Sequence, residues 1–155
     1  MDGKNAALIL RSDQHFLDNI LADFTEQDAD FQPTGEMMNV AQQVHHIAHT
    51  IDWFREGAFT GNYDMDFEAQ NTEAAKPRKL SDAKAELAAA YARLCDALAP
   101  LSAADMAKPM PDNPILGPAP LWHLVPAVIG HTSHHRGALS VYLRLLGRTP
   151  RMVYS

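Results

Sequence analysis

The chain has 155 residues, of which 46% are hydrophobic and 21% carry charge, a composition typical of one soluble globular domain over residues 1–155. Its formal net charge is −6 and its Lys and Arg residues are scattered, which argues against nucleic acid or an anionic membrane surface as a partner. The single cysteine, Cys95, excludes an intramolecular disulfide and a thiolate metal cluster, and we expect it to be a small core residue.

Hydrophobic periodicity predicts a first helix over residues 5–24 and a second over residues 39–59. Asn39 and Gln42 have the pattern of an N-cap and its capping-box partner at the start of the second helix. The short apolar run near the N-terminus is neither a signal peptide nor a membrane span, so the expected location is the cytoplasm. The apolar positions of the first helix are Leu8, Phe16, Leu17, Ile20, Leu21 and Phe24.

Two stretches without helical periodicity flank a third predicted helix. Residues 60–80 are polar and are predicted to form a loop. The third helix is predicted over residues 81–99, with Ser81 as its N-cap and Pro100 after its end. The proline-rich residues 100–120 are predicted to form an ordered, irregular loop.

The fourth predicted helix begins at residue 121 or 124 and runs to residue 146. Gly147 is a natural C′ residue after it, and Pro126 either lies in its first turn or kinks it. No strand alternation or internal repeat is evident. Four helices of about 20 residues joined by loops predict an all-α fold, a four-helix bundle.

The fourth predicted helix carries two histidines, His131 and His135, four residues apart. A helical wheel places both at the centre of the apolar face, with Arg136 on the far side and His134 at the edge. Two buried neutral imidazoles would leave polar nitrogens out of water, at a cost of about 1–3 kcal/mol each. A shared metal ion would satisfy both, because side chains at i and i+4 are neighbours. The alternative is two core histidines bonded to buried side chains or water. The apolar neighbours on the wheel are Leu124, Ala127, Val128, Ala138, Leu139, Tyr142, Leu145 and Leu146.

The second predicted helix carries three more histidines, His45, His46 and His49. The wheel puts His49 opposite the apolar stripe, in solvent, and puts His45 and His46 on opposite flanks. His46 shares its flank with Trp53, a mixed surface suited to a cavity wall, which favours His46 over His45. The two histidines nearer to helix ends are expected to be partly exposed: His15 and His123.

Two segments resemble the DinB/YfiT-like family of metal-binding four-helix proteins. They are "FQPTGEMMNVAQQVHHIAHTIDWF" and "HTSHHRGALSVYLRLLGRTPRMVY". In that family one helix carries a histidine followed by Ile or Leu and then Ala, and a later helix carries H-x-x-x-H followed by R-G. The first pattern matches at His46 and the second at His131 and His135, and the resemblance extends over essentially the whole chain.

The resemblance implies a divalent metal ion, zinc or nickel, held by His46, His131 and His135 in a largely preformed cavity, and it implies a homodimer. Three imidazoles with at least one open position are typical of a catalytic rather than a structural site. Characterised relatives include thiol-dependent transferases and isomerases in which the metal activates a low-molecular-weight thiol such as bacillithiol or mycothiol. The family's name refers to damage-inducible expression and not to DNA binding.

Three functional hypotheses follow from these residues and this resemblance. The first is a metal-dependent enzyme, a thiol S-transferase or a hydrolase, that acts on a small molecule. Arg136 is expected to cap a carbonyl or pair with a carboxylate, and the sequence singles out no general base. The alternative is a non-catalytic metal-binding dimer of the stress response. A third possibility, a helical interaction module without metal, is distinguished from both by metal analysis.

Overall fold

Four long α-helices and two short ones make up the fold in the computed structural model, which describes residues 1–154. Outside the helices, the regular structure in this range consists of two 3-10 turns and one isolated bridge between Pro109 and Pro120. The prediction of an all-α fold is therefore confirmed. The helices are α1 (Gly3–Leu21), α2 (Val40–Thr60), α3 (Phe67–Ala74), α4 (Leu80–Leu98), α5 (Ala103–Met106) and α6 (Leu124–Leu145).

The ends of α2 and α6 follow the predicted capping chemistry. The Asn39 side chain accepts a hydrogen bond from the Gln42 backbone N–H at 2.8 Å, and the Gln42 side chain accepts one from the Asn39 N–H at 2.9 Å. At the other end of the chain, Gly147 has a φ of +75°, and its N–H and that of Arg148 close the last turn of α6. Pro126 lies in the first turn of α6, which is one of the two positions predicted for it.

The prediction that Ser81 caps α4 is wrong. Lys79 is the N-cap, and its side chain makes no capping hydrogen bond. A residue far away in sequence does this instead: the Glu26 carboxylate accepts hydrogen bonds from the backbone N–H groups of Leu80 at 2.8 Å and Ser81 at 3.0 Å. These two bonds satisfy orphan donors of the first turn and place a negative charge at the positive end of the helix dipole.

Both predicted loops contain a short helix. Residues 60–80 contain α3, which Asp66 caps through the N–H of Ala69 at 2.9 Å. Residues 100–120 contain α5, whose capping box joins Ser102 and Asp105. Hydrophobic periodicity did not reveal α3, because Ala74 is its one buried residue.

The four long helices enclose the hydrophobic core: α1 and α2 each pack against both α4 and α6. Cys95 lies in this core, 1% exposed, as predicted. Two leucines expected on buried faces are instead at the surface, Leu8 with 62% and Leu145 with 58% of its area exposed. The buried face of α6 contains Thr132 and Leu139, and Leu145 lies about 120–140° around the helix from both. No helix within residues 1–154 combines the length and hydrophobicity needed to cross a lipid bilayer.

A prediction concerns the remote cap of α4. Replacing Glu26 by Ala is expected to lower the midpoint temperature of unfolding by roughly 2–4 °C, the usual effect of losing a helix cap in a domain of this size. Replacing Ser81 by Ala should lower the midpoint less, because the Ser81 side chain does not cap the helix and only helps to hold the Glu26 carboxylate. Thermal unfolding followed by circular dichroism measures both, and a larger loss in the Ser81 variant would contradict this assignment.

Candidate metal site

Three imidazoles from two helices converge between α2 and α6. His46 comes from α2, and His131 and His135 come from adjacent turns of α6. The ring centroids lie 5.1 Å apart for His46 and His131, 4.9 Å for His46 and His135, and 4.6 Å for His131 and His135. One nitrogen of each ring lies within 4.8 Å of a nitrogen of both others. The packing of α2 on α6 thus brings His46 next to two residues that lie 85 and 89 positions later in the chain.

The spacing of the ring nitrogens suits a shared cation. Nε2 of His46 lies 3.2 Å from Nε2 of His131. Two nitrogens that each bind one zinc ion at about 2.0–2.1 Å in tetrahedral geometry lie about 3.3–3.4 Å apart. The imidazole donors are also a type that zinc and nickel both accept. His46 and His131 therefore already have the spacing of two ligands of one ion, and the nitrogen of His135 lies within 4.8 Å of both.

The three imidazoles are held in their neutral form. Burial, followed by the proximity of His46 and His134, lowers the pKa of His131 from 6.5 to about 4. Burial, followed by His131, lowers the pKa of His135 to about 3, and burial is also the largest cause that lowers the pKa of His46. Each ring therefore keeps a free nitrogen lone pair at neutral pH, which is the form that binds a metal.

A buried amide orients His135. Oε1 of Gln43, a residue only 5% exposed, lies 3.1 Å from Nδ1 of His135. With Nδ1–H donating to this oxygen, Nε2 carries the lone pair. Such a hydrogen bond to the second ring nitrogen is typical of metal-binding histidines. Within residues 1–154, Nδ1 of His131 is buried and has no hydrogen-bond partner, so His131 lacks a corresponding orienting group.

The other histidines of α2 do not belong to the cluster, although both line the cavity next to it. Nδ1 of His45 lies 2.6 Å from a carboxylate oxygen of Glu86 on α4, and His49 is exposed, as the wheel predicted. On α6, His134 is exposed. The preference for His46 over His45 thus agrees with the position of the cluster.

Arg136 pairs with a carboxylate, as expected from its position opposite the histidines. Its guanidinium donates to Asp13 on α1 at 3.0 Å. The roles of Asp13 and Gln43 could not be predicted from the sequence. The hydrogen-bond partners of Asp13 lie 78 to 123 residues away along the chain. The partner of Gln43 lies 92 residues away. The one signal in the sequence is that Asp13 is a polar residue at a position where the apolar period of the first helix predicts a hydrophobic one.

A cavity of about 160 Å³ opens beside the cluster. His46 and His131 form part of its lining, and α3 supplies the opposite wall, including Phe67 and Asn71. The Asp64 carbonyl holds this wall in place by accepting hydrogen bonds from Nε1 of Trp53 at 2.7 Å and from Gln70 at 2.8 Å. A small molecule in the cavity would therefore contact two of the three imidazoles.

Comparison with known proteins identifies one family. The model of the family described as the DinB superfamily matches residues 9–139, more than four-fifths of the chain. The matched range contains His46, His131 and His135. No curated protein matches the chain.

The lowered histidine pKa values predict that acid destabilises the metal-free protein. The unfolded chain, with histidine pKa values near 6.5, binds more protons than the folded chain below that pH. The free energy of unfolding should therefore fall as the pH drops from about 6.5 towards 4, by about 1.4 kcal/mol per pH unit for each histidine that stays unprotonated in the fold.

Urea unfolding of the metal-free protein at a series of pH values measures this dependence. The slope should decrease in His135→Gln. His49→Gln, which changes an exposed residue of α2, is the matched control and should retain the wild-type slope. Equal slopes in the His135 variant and in the wild type would contradict the origin assigned to the effect.

Proposed function

The chain belongs to the DinB superfamily, and we propose that it binds one divalent metal ion through His46, His131 and His135. The observation that carries the proposal is the convergence of three neutral imidazoles, two of whose nitrogens lie 3.2 Å apart. The core-histidine alternative explains the 3.2 Å contact between His46 and His131 as a hydrogen bond, but it gives no role to the third ring, His135, which lies beside both.

The ion we propose is zinc or nickel. Both accept imidazole nitrogen, and three protein ligands leave at least one position for water or substrate. When bound, such an ion supplies Lewis acidity, which polarises a carbonyl or lowers the pKa of a water or thiol. The cavity lies on the side of the cluster where His46 and His131 are accessible.

The activity we propose is that of a thiol S-transferase or a hydrolase acting on a small molecule. Two features support this activity. One is the adjoining cavity, and the other is the resemblance to a family whose characterised members include thiol-dependent transferases. Trp53 and Phe67 give the cavity apolar walls, whereas Thr50, Gln70 and Asn71 offer hydrogen-bonding groups. These groups would hold and orient a substrate of mixed polarity beside the imidazoles.

The protein is further proposed to be a cytoplasmic homodimer. The family resemblance supports the dimer, and so does a set of large apolar side chains on the outer surfaces of α1 and α6. Their exposed fractions are well above those of core residues: Leu8 62%, Val141 52% and Leu145 58%. A second copy of the chain would remove such side chains from water.

Metal binding can be tested directly on protein purified without a histidine tag. Elemental analysis should find about one divalent ion per chain. His46→Ala, His131→Ala and His135→Ala should each lose this ion, because two remaining imidazoles hold it weakly. His45→Ala and His49→Ala, on the same helix as His46, are the matched controls and should retain it. Retention of the ion in both α6 variants would show that the ligand set is wrong.

Thiol chemistry can be tested on the metal-loaded protein. A panel of low-molecular-weight thiols, including bacillithiol and mycothiol, is incubated with electrophilic substrates, and loss of free thiol is followed with and without metal. We expect metal-dependent turnover with at least one thiol, and its loss in His131→Ala. Metal binding without turnover of any thiol would contradict the transferase and favour a hydrolase or a non-catalytic metal-binding dimer of the stress response.

A further inference from the structure

A single buried carboxylate joins three of the long helices next to the histidine cluster. Asp13 of α1 is 4% exposed. Its Oδ2 accepts hydrogen bonds from the hydroxyls of Tyr91 on α4 at 2.8 Å and Thr132 on α6 at 2.6 Å, and its Oδ1 accepts one from Arg136 on α6 at 3.0 Å. Three donors thus bind this one carboxylate, and two of them belong to α6.

The two donors on α6 are the immediate neighbours of the two histidines. Thr132 follows His131, and Arg136 follows His135. Successive residues of a helix are separated by about 100° around its axis. Two contacts four residues apart on the face towards α1 therefore set the rotation and the height of the turn that presents both imidazoles to α2.

This turn has few other restraints on its outer side. It is bounded by Gly130 and Gly137, and no heavy atom lies within 4 Å of the position that a Cβ would occupy at either glycine. Glycine is a poor helix former, because it has more conformational freedom to lose than other residues. The segment that must hold two imidazoles in register is thus weak as a helix, and the restraints on it come from α1 and α2.

We propose that Asp13 is a positioning residue for the metal: through Thr132 and Arg136 it fixes the turn of α6 on which His131 and His135 stand. The inference rests on the metal site proposed above. Asp13 does not contact the ion. Its role is to maintain the separation and direction of two ligand nitrogens, for which errors of about 0.5 Å already weaken a site.

The test measures metal affinity separately from stability. Zn²⁺ affinity is obtained by competition with a chromophoric chelator, and the visible spectrum of the Co²⁺-loaded protein reports ligand geometry. Asp13→Asn and Thr132→Val are expected to weaken Zn²⁺ binding by about 10–100-fold, the range seen when groups that orient metal ligands are removed, and to change the Co²⁺ spectrum. Thr132→Ser retains the hydroxyl and should retain the wild-type affinity.

Tyr91→Phe is the matched control. It removes a hydrogen bond to the same carboxylate, but from α4, which carries none of the three histidines. It should lower the unfolding temperature while leaving the Zn²⁺ affinity and the Co²⁺ spectrum unchanged. If Asp13→Asn does not fold, Thr132→Val, which preserves the shape of the side chain, gives the result on its own.

Two outcomes would overturn the positioning role. One is wild-type affinity in a folded Asp13→Asn or Thr132→Val variant. The other is an equal loss of affinity in Tyr91→Phe, which would mean that general destabilisation weakens the site. Absence of Zn²⁺ binding by the wild type is a different result, since it would overturn the metal site itself and the positioning role with it.

Discussion

The orientation of α6 about its own axis is the constraint on which the candidate site depends. One face of this helix is tied to Asp13 through Thr132 and Arg136, and the adjacent face presents His131 and His135 to α2. A rotation of α6 that kept its leucines buried but broke the ties to Asp13 would carry both imidazoles away from His46. Specific polar contacts, rather than apolar burial alone, therefore define which side chains meet.

This arrangement places three imidazoles close together and partly out of water. Close-packed neutral rings with few hydrogen-bond partners destabilise a metal-free fold, since buried polar groups need partners. The rings cannot relieve the crowding by taking up protons, because burial and their mutual proximity lower their pKa values. A cation that accepts a lone pair from each ring would satisfy all three together, so the same features that make the cluster unfavourable by itself make it a good ligand set.

Much of the fold could be predicted from the chain, because each long helix buries a stripe of apolar residues with a regular period. The pair His131 and His135 was found in the same way, but the prediction that both lie at the centre of the buried face is wrong, since both are only partly buried. The choice of His46 needed the family resemblance as well as the wheel. Features without a local signature were missed. The wall formed by α3 buries only Ala74, and the partner of Asp13 on α4 lies 78 residues away in sequence, so neither leaves a periodic pattern.

The central claim is that His46, His131 and His135 bind one metal ion together. Anomalous diffraction from crystals of the metal-loaded protein, recorded on both sides of the metal's absorption edge, tests this most directly. We predict one strong peak per chain, about 2.0–2.1 Å from a ring nitrogen of each of the three histidines. A peak elsewhere, or one bound by only two of these imidazoles, would contradict the claim.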